Sequence, residues 1–305
     1  MTQEDIGYKI IVIIYRPSDR PGREESVMNK IRIITDSSCD LNKELVDKYN
    51  ITIVPLNVSF GDDSYIDGEI DKEEFYRRMS SSKELPKTSC PSPERFMKSY
   101  EGEEDLIVIT ISSKLSGTYS TANLAKNMYL EDNQNKKIEI IDSATGSIAQ
   151  GQLVVKAAKL VEEGKSLEEI VEILNKVKDE LVFYGSLDTL ENAIKGGRIN
   201  PLAGKLINAL NFKVIVKIGN HEVKPVDKAR GDNNSIKKVI HKILSDMDKD
   251  KAKSLFIAHA NCLDKALKTR ELLLKEYNFE DINIVELGSV MGTYTSQGAV
   301  LISVI

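Results

Sequence analysis

Residues 107–119, IVITISSKLSGTY, pass within a few positions from an apolar run to a cluster of hydroxyls around a glycine. Ile107 to Ile111 has the length and β-branched character of a strand buried on both faces, as in a parallel sheet. Its polar end, Ser112, Ser113, Ser116, Gly117 and Thr118, leads into STANLAKNMYL, which reads as a helix. A strand, a hydroxyl-rich loop and a helix N-terminus bring free backbone N–H groups, a positive dipole end and short hydroxyl side chains to one point. Such a junction suits a phosphate or a carboxylate. Plain N-capping by serine explains the same residues without any ligand.

Working outward, the same unit recurs. KIRIITD (30–36) closes on Asp36, Ser37, Ser38 and Asp40 before a helix, LNKELVDKYN, and a strand, ITIVPLNVSF. KIEIIDSATGS (137–147) closes on Asp142, Ser143 and Thr145 before a helix with Ile148, Leu153, Val154, Ala157, Leu160 and Val161 inward. Strand, polar loop and helix in repetition predict a parallel α/β sheet covered on both faces. The carboxyl ends of its strands share one edge, so Thr35–Ser38, Ser112–Thr118 and Asp142–Thr145 are expected to line one crevice. Between these units, Asp71 and Glu74 have capping-box spacing for the helix EEFYRRM. SSSKELPKTSCPSPERF then reads as a constrained loop, with Ser92 capping the next helix and Pro93 at its first position.

The second half has another rhythm. FKVIVKI (212–218) alternates as a half-buried strand does and meets HEVKPVDKA across Gly219-Asn220, a hairpin pattern. An amphipathic helix, the strand SLFIAHA, the helix LDKALKTRELLLKEY and the strands INIVELG and AVLISVI follow. Hairpins mixed with crossovers predict an α+β domain with a mixed sheet. SLDTLENAIKGGRINPLAG joins the halves as a short helix closed by Gly196-Gly197, then Arg198 and a second helix after Pro201. The architecture expected is an N-terminal parallel-sheet α/β domain over 28–165 and a C-terminal α+β domain over 166–305. An N-terminal extension, 1–27, precedes them.

A chain of 305 residues with 41% hydrophobic and 29% charged content supports a large core and two domains. A net charge of −5 gives no electrostatic footprint for nucleic acid. Cys39, Cys90 and Cys262 are odd in number and far apart, which points to a reducing compartment. The apolar run IIVIIY (10–15) is too short to span a membrane and has no cleavage pattern after it, so a cytoplasmic protein is expected.

The three histidines, His221, His241 and His259, stand in no arrangement with Ser or Cys and a carboxylate that reads as a hydrolase. Neither a phosphate loop nor a dinucleotide fingerprint is present. What remains is a surplus of hydroxyl donors on loops: Thr88-Ser89, Ser112-Ser113, Ser116-Gly117-Thr118 and Gly292-Thr293-Tyr294-Thr295-Ser296. Each alone is turn chemistry. Together they suggest that neutral donors recognise an anionic or carbonyl group, with no catalytic residue, metal or cofactor.

These segments resemble a known family. ITDSSCDL (34–41), TSCPS (88–92), ISSKLSGTYSTA (111–122), IDSATGSIAQG (141–151), KGGRI (195–199) and GTYTSQGA (292–299) are similar, in order and spacing, to the motifs of the DegV family. The resemblance covers nearly everything from Met28 to Ile305. It implies a two-domain α/β protein that holds a long-chain fatty acid between its domains. Such a protein is the binding subunit of a bacterial fatty acid kinase, presenting the carboxylate to a separate ATP-dependent subunit that makes acyl-phosphate. It further implies that Thr88 and Ser116 donate to the carboxylate with the Gly117 amide beside them. Arg198 would stand at the site mouth or face the kinase subunit; a plain surface arginine is the other reading. Two departures stand out: Cys90 where the family has Gln, and Tyr294 where it has His. A phenol titrates near 10, so Tyr294 replaces a hydrogen bond and not a positive charge. A monomer that is no enzyme is expected, the alternatives being a small-molecule phosphotransferase or hydrolase on the same loops, or a lipid-sensing interaction module.

Overall fold

The computed structural model describes residues 30–82, 85–201 and 212–305. The N-terminal extension and the helix expected after Pro201 lie outside the described residues. Along the first half run β1 (Ile31–Asp36), α1 (Lys43–Lys48), β2 (Thr52–Val54), β3 (Asn57–Phe60), β4 (Asp63–Ile66), α2 (Lys72–Ser81) and β5 (Lys87–Ser89). Then come α3 (Pro93–Ser99), β6 (Asp105–Thr110), α4 (Thr118–Asp132), β7 (Ile138–Asp142), α5 (Ser147–Glu162) and α6 (Leu167–Val177). A four-stranded sheet in the order β2-β1-β6-β7 is parallel throughout. β6, buried along its whole length, is one of its two central strands.

One expected strand is two. ITIVPLNVSF breaks at Pro55, which has no N–H to give a ladder. β2 before it belongs to the parallel sheet, whereas β3 after it centres a separate antiparallel sheet in the order β4-β3-β5. The segment read as a loop before Ser92 therefore holds the short strand β5, which carries Thr88. Ser92 and Pro93 do cap and start α3, and Asp71 caps α2 through the Glu74 amide.

In the second half, β8 (Val182–Leu187), β9 (Phe212–Gly219), β10 (Glu222–Arg230), β11 (Ser254–His259), β12 (Asp281–Glu286) and β13 (Val300–Val304) form a mixed sheet ordered β10-β9-β8-β13-β11-β12, with the short helix α7 (Glu191–Lys195) following β8. Only β11 and β12 pair in parallel. The β9–β10 hairpin turns at Asn220-His221, both at positive φ, one residue later than the sequence pattern placed it. Two such residues between paired strands are the backbone of a type I′ turn. Helices Asp232–Asp246 and Leu263–Leu274 cover the outer face of this sheet.

The helix α5 packs against β1 and β6 on one side and β11 and β13 on the other. Its sequence reads as amphipathic, yet Ile148, Ala149, Gln150, Gln152, Leu153, Val154, Val155 and Ala157 are all buried. A helix between two sheets keeps only a narrow solvent-facing stripe, here Lys156, Lys159 and Glu162. Its glutamines bond on opposite sides: Gln150 Nε2 donates to Thr35 Oγ1 at 3.0 Å, and Gln152 Nε2 to the Ser254 carbonyl at 3.1 Å. α6 packs its apolar residues Leu167, Ile170 and Leu174 with Ile107, Ile109 and Ile141 of the first sheet. A further apolar cluster joins Phe60, Phe75 and Ile148 from the first half to Phe183, Val216, Phe256 and Leu301 from the second. Among the described residues, no helix is long and apolar enough to cross a membrane.

Gly151 lies where α5 crosses the loop after β1, and a Cβ there would meet the Cys39 carbonyl at 2.6 Å and Leu41 at 2.9 Å. Backbone cannot yield as a side-chain tip can. Gly151→Ala is expected to lower stability by about 1–3 kcal/mol, the usual cost of overpacking, despite the better helix propensity of alanine. Urea unfolding followed by circular dichroism measures this; an unchanged or raised midpoint would refute the tight crossing.

Candidate functional site

The carboxyl ends of β1, β6 and β7 share one edge as expected, but most of their polar residues are spent on one another. Asp36 accepts from the Ile111 amide at 2.8 Å, from Gln150 Nε2 at 3.1 Å and from the Ser38 amide at 3.1 Å. The Ser113 amide donates to Asp142, and the Ser112 amide to the Thr145 carbonyl at 2.7 Å. Thr35, Asp36, Ser38, Ser112 and Ser143 are buried, and buried polar groups must be paired. This network fixes the loops rather than lining a crevice.

Beside it lies an apolar cavity between the halves. Ile111, Leu115 and Gly146 contribute from the first half, and Phe183, Leu187, Val216, Ile218, Met291 and Leu301 from the second. Five polar side chains join the lining: Thr88, Ser116, Arg198, Tyr294 and Thr295. Thr88 Oγ1 and Tyr294 Oη lie 2.5 Å apart, across 206 residues of sequence. Arg198 stacks its guanidinium 4.9 Å from the centroid of the Tyr294 ring, while Nε donates to the Leu115 carbonyl at 3.1 Å and Nη1 to the Gly196 carbonyl at 2.5 Å. Among the described residues no acidic side chain pairs with Arg198. Gly196 permits the arrangement, since a Cβ there would stand 2.5 Å from Tyr294 Cε1.

Ser116 Oγ lies 2.8 Å from Thr118 Oγ1 and accepts from the Thr118 amide at 3.3 Å. Each hydroxyl has one proton, so within the Thr88–Tyr294 pair and within the Ser116–Thr118 pair one oxygen donates and the other keeps a proton to give elsewhere. With three N–H groups of Arg198 uncommitted to the two carbonyls, this end of the cavity offers two neutral donors and a cation to one anion. Gly117 stands beside the lining, exposed at the start of α4. Its φ of −70° suits any residue, and a Cβ there would be 3.6 Å from Cys90 Sγ, an ordinary contact. What Gly117 can contribute is its amide, one of those a helix start leaves without a partner within the helix.

The segment Gly292–Ser296 is not a loop. Ser289–Thr295 is helical, and Thr293 and Thr295 turn their hydroxyls back to the carbonyls of Ser289 and Met291. Such back-bonding consumes them, so of this hydroxyl run Tyr294 is the one aimed at Thr88.

What holds that helix in place escaped the sequence reading. Asp67 Oδ1 accepts from the amides of Ser289 and Val290 at 2.9 and 3.3 Å, and Asp40 Oδ1 from Gly288 at 2.7 Å. Asp40 Oδ2 accepts from Ser147 Oγ at 2.5 Å, and Lys72 Nζ donates to the Leu287 carbonyl at 2.7 Å. The first half thus caps a helix of the second. Partners more than 200 residues apart leave no local pattern. Burial drives both carboxyls up, Asp40 to about 7, against the lowering effect of these hydrogen bonds.

His221 also crosses between the halves. Its amide donates to the Ala144 carbonyl at 2.8 Å, and Nδ1 lies 2.9 Å from Ser112 Oγ and 3.8 Å from Asp142 Oδ2. Serine and aspartate meet the same ring nitrogen, and Ser112 is buried. A charge-oriented base needs them on opposite nitrogens, so this is a tie and not a catalytic triad.

Residues 30–305 match the family model described as "Uncharacterised protein, DegV family". The chain belongs to the DegV family. A DegV domain-containing protein of Clostridium acetobutylicum is 33% identical, over 88% of this chain and 95% of its own length. Among solved structures, a DegV family protein of Ruminococcus gnavus with vaccenic acid superposes with a TM-score of 0.84 at 29% identity, covering 90% of this chain and 99% of that one. The Streptococcus pneumoniae Fatty Acid Kinase (Fak) B3 protein loaded with linoleic acid gives 0.82 at 27% identity, covering 90% and 98%. The fold is that of the DegV family, a parallel-sheet domain followed by a mixed-sheet domain.

The raised Asp40 carboxyl has a pH signature. The folded protein keeps the proton where the unfolded chain, with an ordinary carboxyl near 3.8, has lost it. The resulting stability is fully present below about pH 4 and is lost as pH rises through about 7. Asn accepts from Gly288 and donates to Ser147 without ionising, so Asp40→Asn is expected to flatten the fall in stability between pH 5 and 8. Urea midpoints across that range test this; parallel curves for the two proteins would show that Asp40 does not carry it.

Proposed function

We propose that this protein binds one long-chain fatty acid in the cavity between its halves and presents the carboxylate to a separate ATP-dependent subunit for acyl-phosphate formation. The observation that carries the reading is the polarity of the cavity: apolar along its length, with Thr88, Ser116, Tyr294 and Arg198 gathered at one end. The acyl ligands of the related structures agree with it.

Magnitudes divide the work between the two ends. Each buried CH₂ is worth roughly 0.8 kcal/mol, so about 14 methylenes offer on the order of 11 kcal/mol before ordering costs. Each hydrogen bond to the carboxylate adds about 1.5–3 kcal/mol. The chain sets affinity, and the polar end sets where the carboxylate points. In its present form the cavity measures about 80 Å³, room for a short length of chain. A full ligand enters by moving flexible lining side chains such as Met291.

Tyr294 takes the place of the family's histidine and gives the hydrogen bond, while the Arg198 guanidinium stacked on its ring supplies a positive charge beside it. With Thr88, Ser116, Tyr294 and Arg198 all partly exposed, a carboxylate held there is open to a phosphoryl donor. The sequence carries no phosphate-loop or dinucleotide-binding motif, and in this reading phosphoryl transfer falls to the partner. We read the protein as a cytoplasmic monomer in this role.

Native mass spectrometry of freshly purified protein is expected to show one fatty acid per chain; delipidated protein that fails to rebind oleate or palmitate would refute the reading. Tyr294→Phe and Thr88→Ala each remove one hydrogen bond and are expected to weaken oleate binding by about tenfold or more. Both are expected to retain lipid and to lose more acyl-phosphate formation than binding. Wild-type transfer by both variants, measured with the kinase subunit and ATP, would count against the assignment of this end.

A further inference from the structure

We propose that Ile218 sets the length of acyl chain the cavity accepts, by closing its tail end; this rests on the fatty-acid reading above. The direction of the cavity follows from the pairing of β8 and β9. Leu187 lies opposite Val214, Gly185 opposite Val216, and Tyr184 opposite Lys217. The Leu187 end of this pair runs directly into α7, Gly196 and Arg198, and so belongs to the polar end. Four residues on from Val214 along β9, roughly 13 Å at about 3.3 Å per residue, Ile218 stands at the other end, where Phe183 also lines the cavity. Val214, Val216 and Ile218 share one face of the strand, the face that packs between the halves.

Beyond Ile218 the surroundings change. A groove of about 590 Å³ runs on the other side of the hairpin, lined among others by Lys178, Lys217, Asp246, Asp248 and Lys251. Among the described residues Ile218 alone lines both spaces. A methylene that passes it leaves an apolar wall for a charged, open one, and the gain from burial stops there.

The position of Ile218 is fixed from two sides. It pairs directly with Val223 across the hairpin, and Val223 also lines the cavity. The turn just beyond is tied to the first half through the His221 amide on the Ala144 carbonyl and through Ser112. The stop is therefore held by the same contacts that close the two halves together at this end.

Competition among saturated fatty acids of 14 to 20 carbons on delipidated protein tests the assignment. Ile218→Ala is expected to raise the ratio of affinities for the 20-carbon over the 16-carbon acid about tenfold, the volume vacated by the isoleucine side chain sheltering a little under two further methylenes. Ile218→Phe is expected to lower the same ratio by a similar factor. Ile218→Val, the mildest change, is expected to fall between wild type and Ile218→Ala, and thermal midpoints near wild type show which variants are folded. Ratios unchanged in the folded variants, with wild type binding normally, would overturn the role of Ile218 alone. Failure of wild type to bind any of these acids would overturn the fatty-acid reading, and this inference with it.

Discussion

Burial of α5 between two sheets is the constraint on which the rest of the structure depends. A helix with β1 and β6 on one side and β11 and β13 on the other makes two domains share one apolar core. Small residues, Ala149, Gly151, Ala157 and Ala158, let both sheets approach, and each buried glutamine finds a partner on its own side. Loops at one end of this assembly are then held closely enough for a cavity to persist between them. The polar network of Asp36, Gln150, Ser112 and Asp142 makes those loops rigid, so that Ser116 projects from a fixed support.

The same constraint explains how Tyr294 reaches Thr88. The helix that carries Tyr294 is only seven residues long and has no side-chain cap of its own. Its N-terminal amides are met instead by Asp67 and Asp40 from the other half. Short helices depend on such tertiary partners, because nucleation costs more than a few hydrogen bonds return. Placing two carboxyls in a buried position has a cost, visible in their raised titration. Two of the polar residues at the cavity end thus owe their position to contacts between the halves: Tyr294 through the acidic caps, and Arg198 through the Leu115 carbonyl.

Much of this was legible in the sequence, and the parts that were not share a cause. Periodicity and turn chemistry located β1, β6 and β7 with their loops and helices, the caps at Asp71 and Ser92, and the β9–β10 hairpin. Motif resemblance singled out Thr88, Ser116, Arg198 and Tyr294, which the fold brings to one cavity, and Gly117, which stands beside it. The division of ITIVPLNVSF between two sheets turned on a single proline whose effect depends on what lies next to it. The helical state of Ser289–Thr295 and the burial of most of α5 depend on partners from the other half. Asp40 read only as part of a polar loop and Asp67 drew no reading at all, because nothing local distinguishes a carboxyl that caps a distant helix from one that faces water.

The central claim is that the cavity is polarised, with an anion held at the Thr88 end and an apolar tail running toward Ile218. A crystal structure of the protein delipidated and then loaded with palmitate tests this most directly. The expected result is a carboxylate within hydrogen-bond distance of Thr88 or Tyr294 and of Ser116, with Arg198 alongside and the terminal methyl against Ile218. Palmitate in the reverse orientation, or bound outside this cavity, would contradict it.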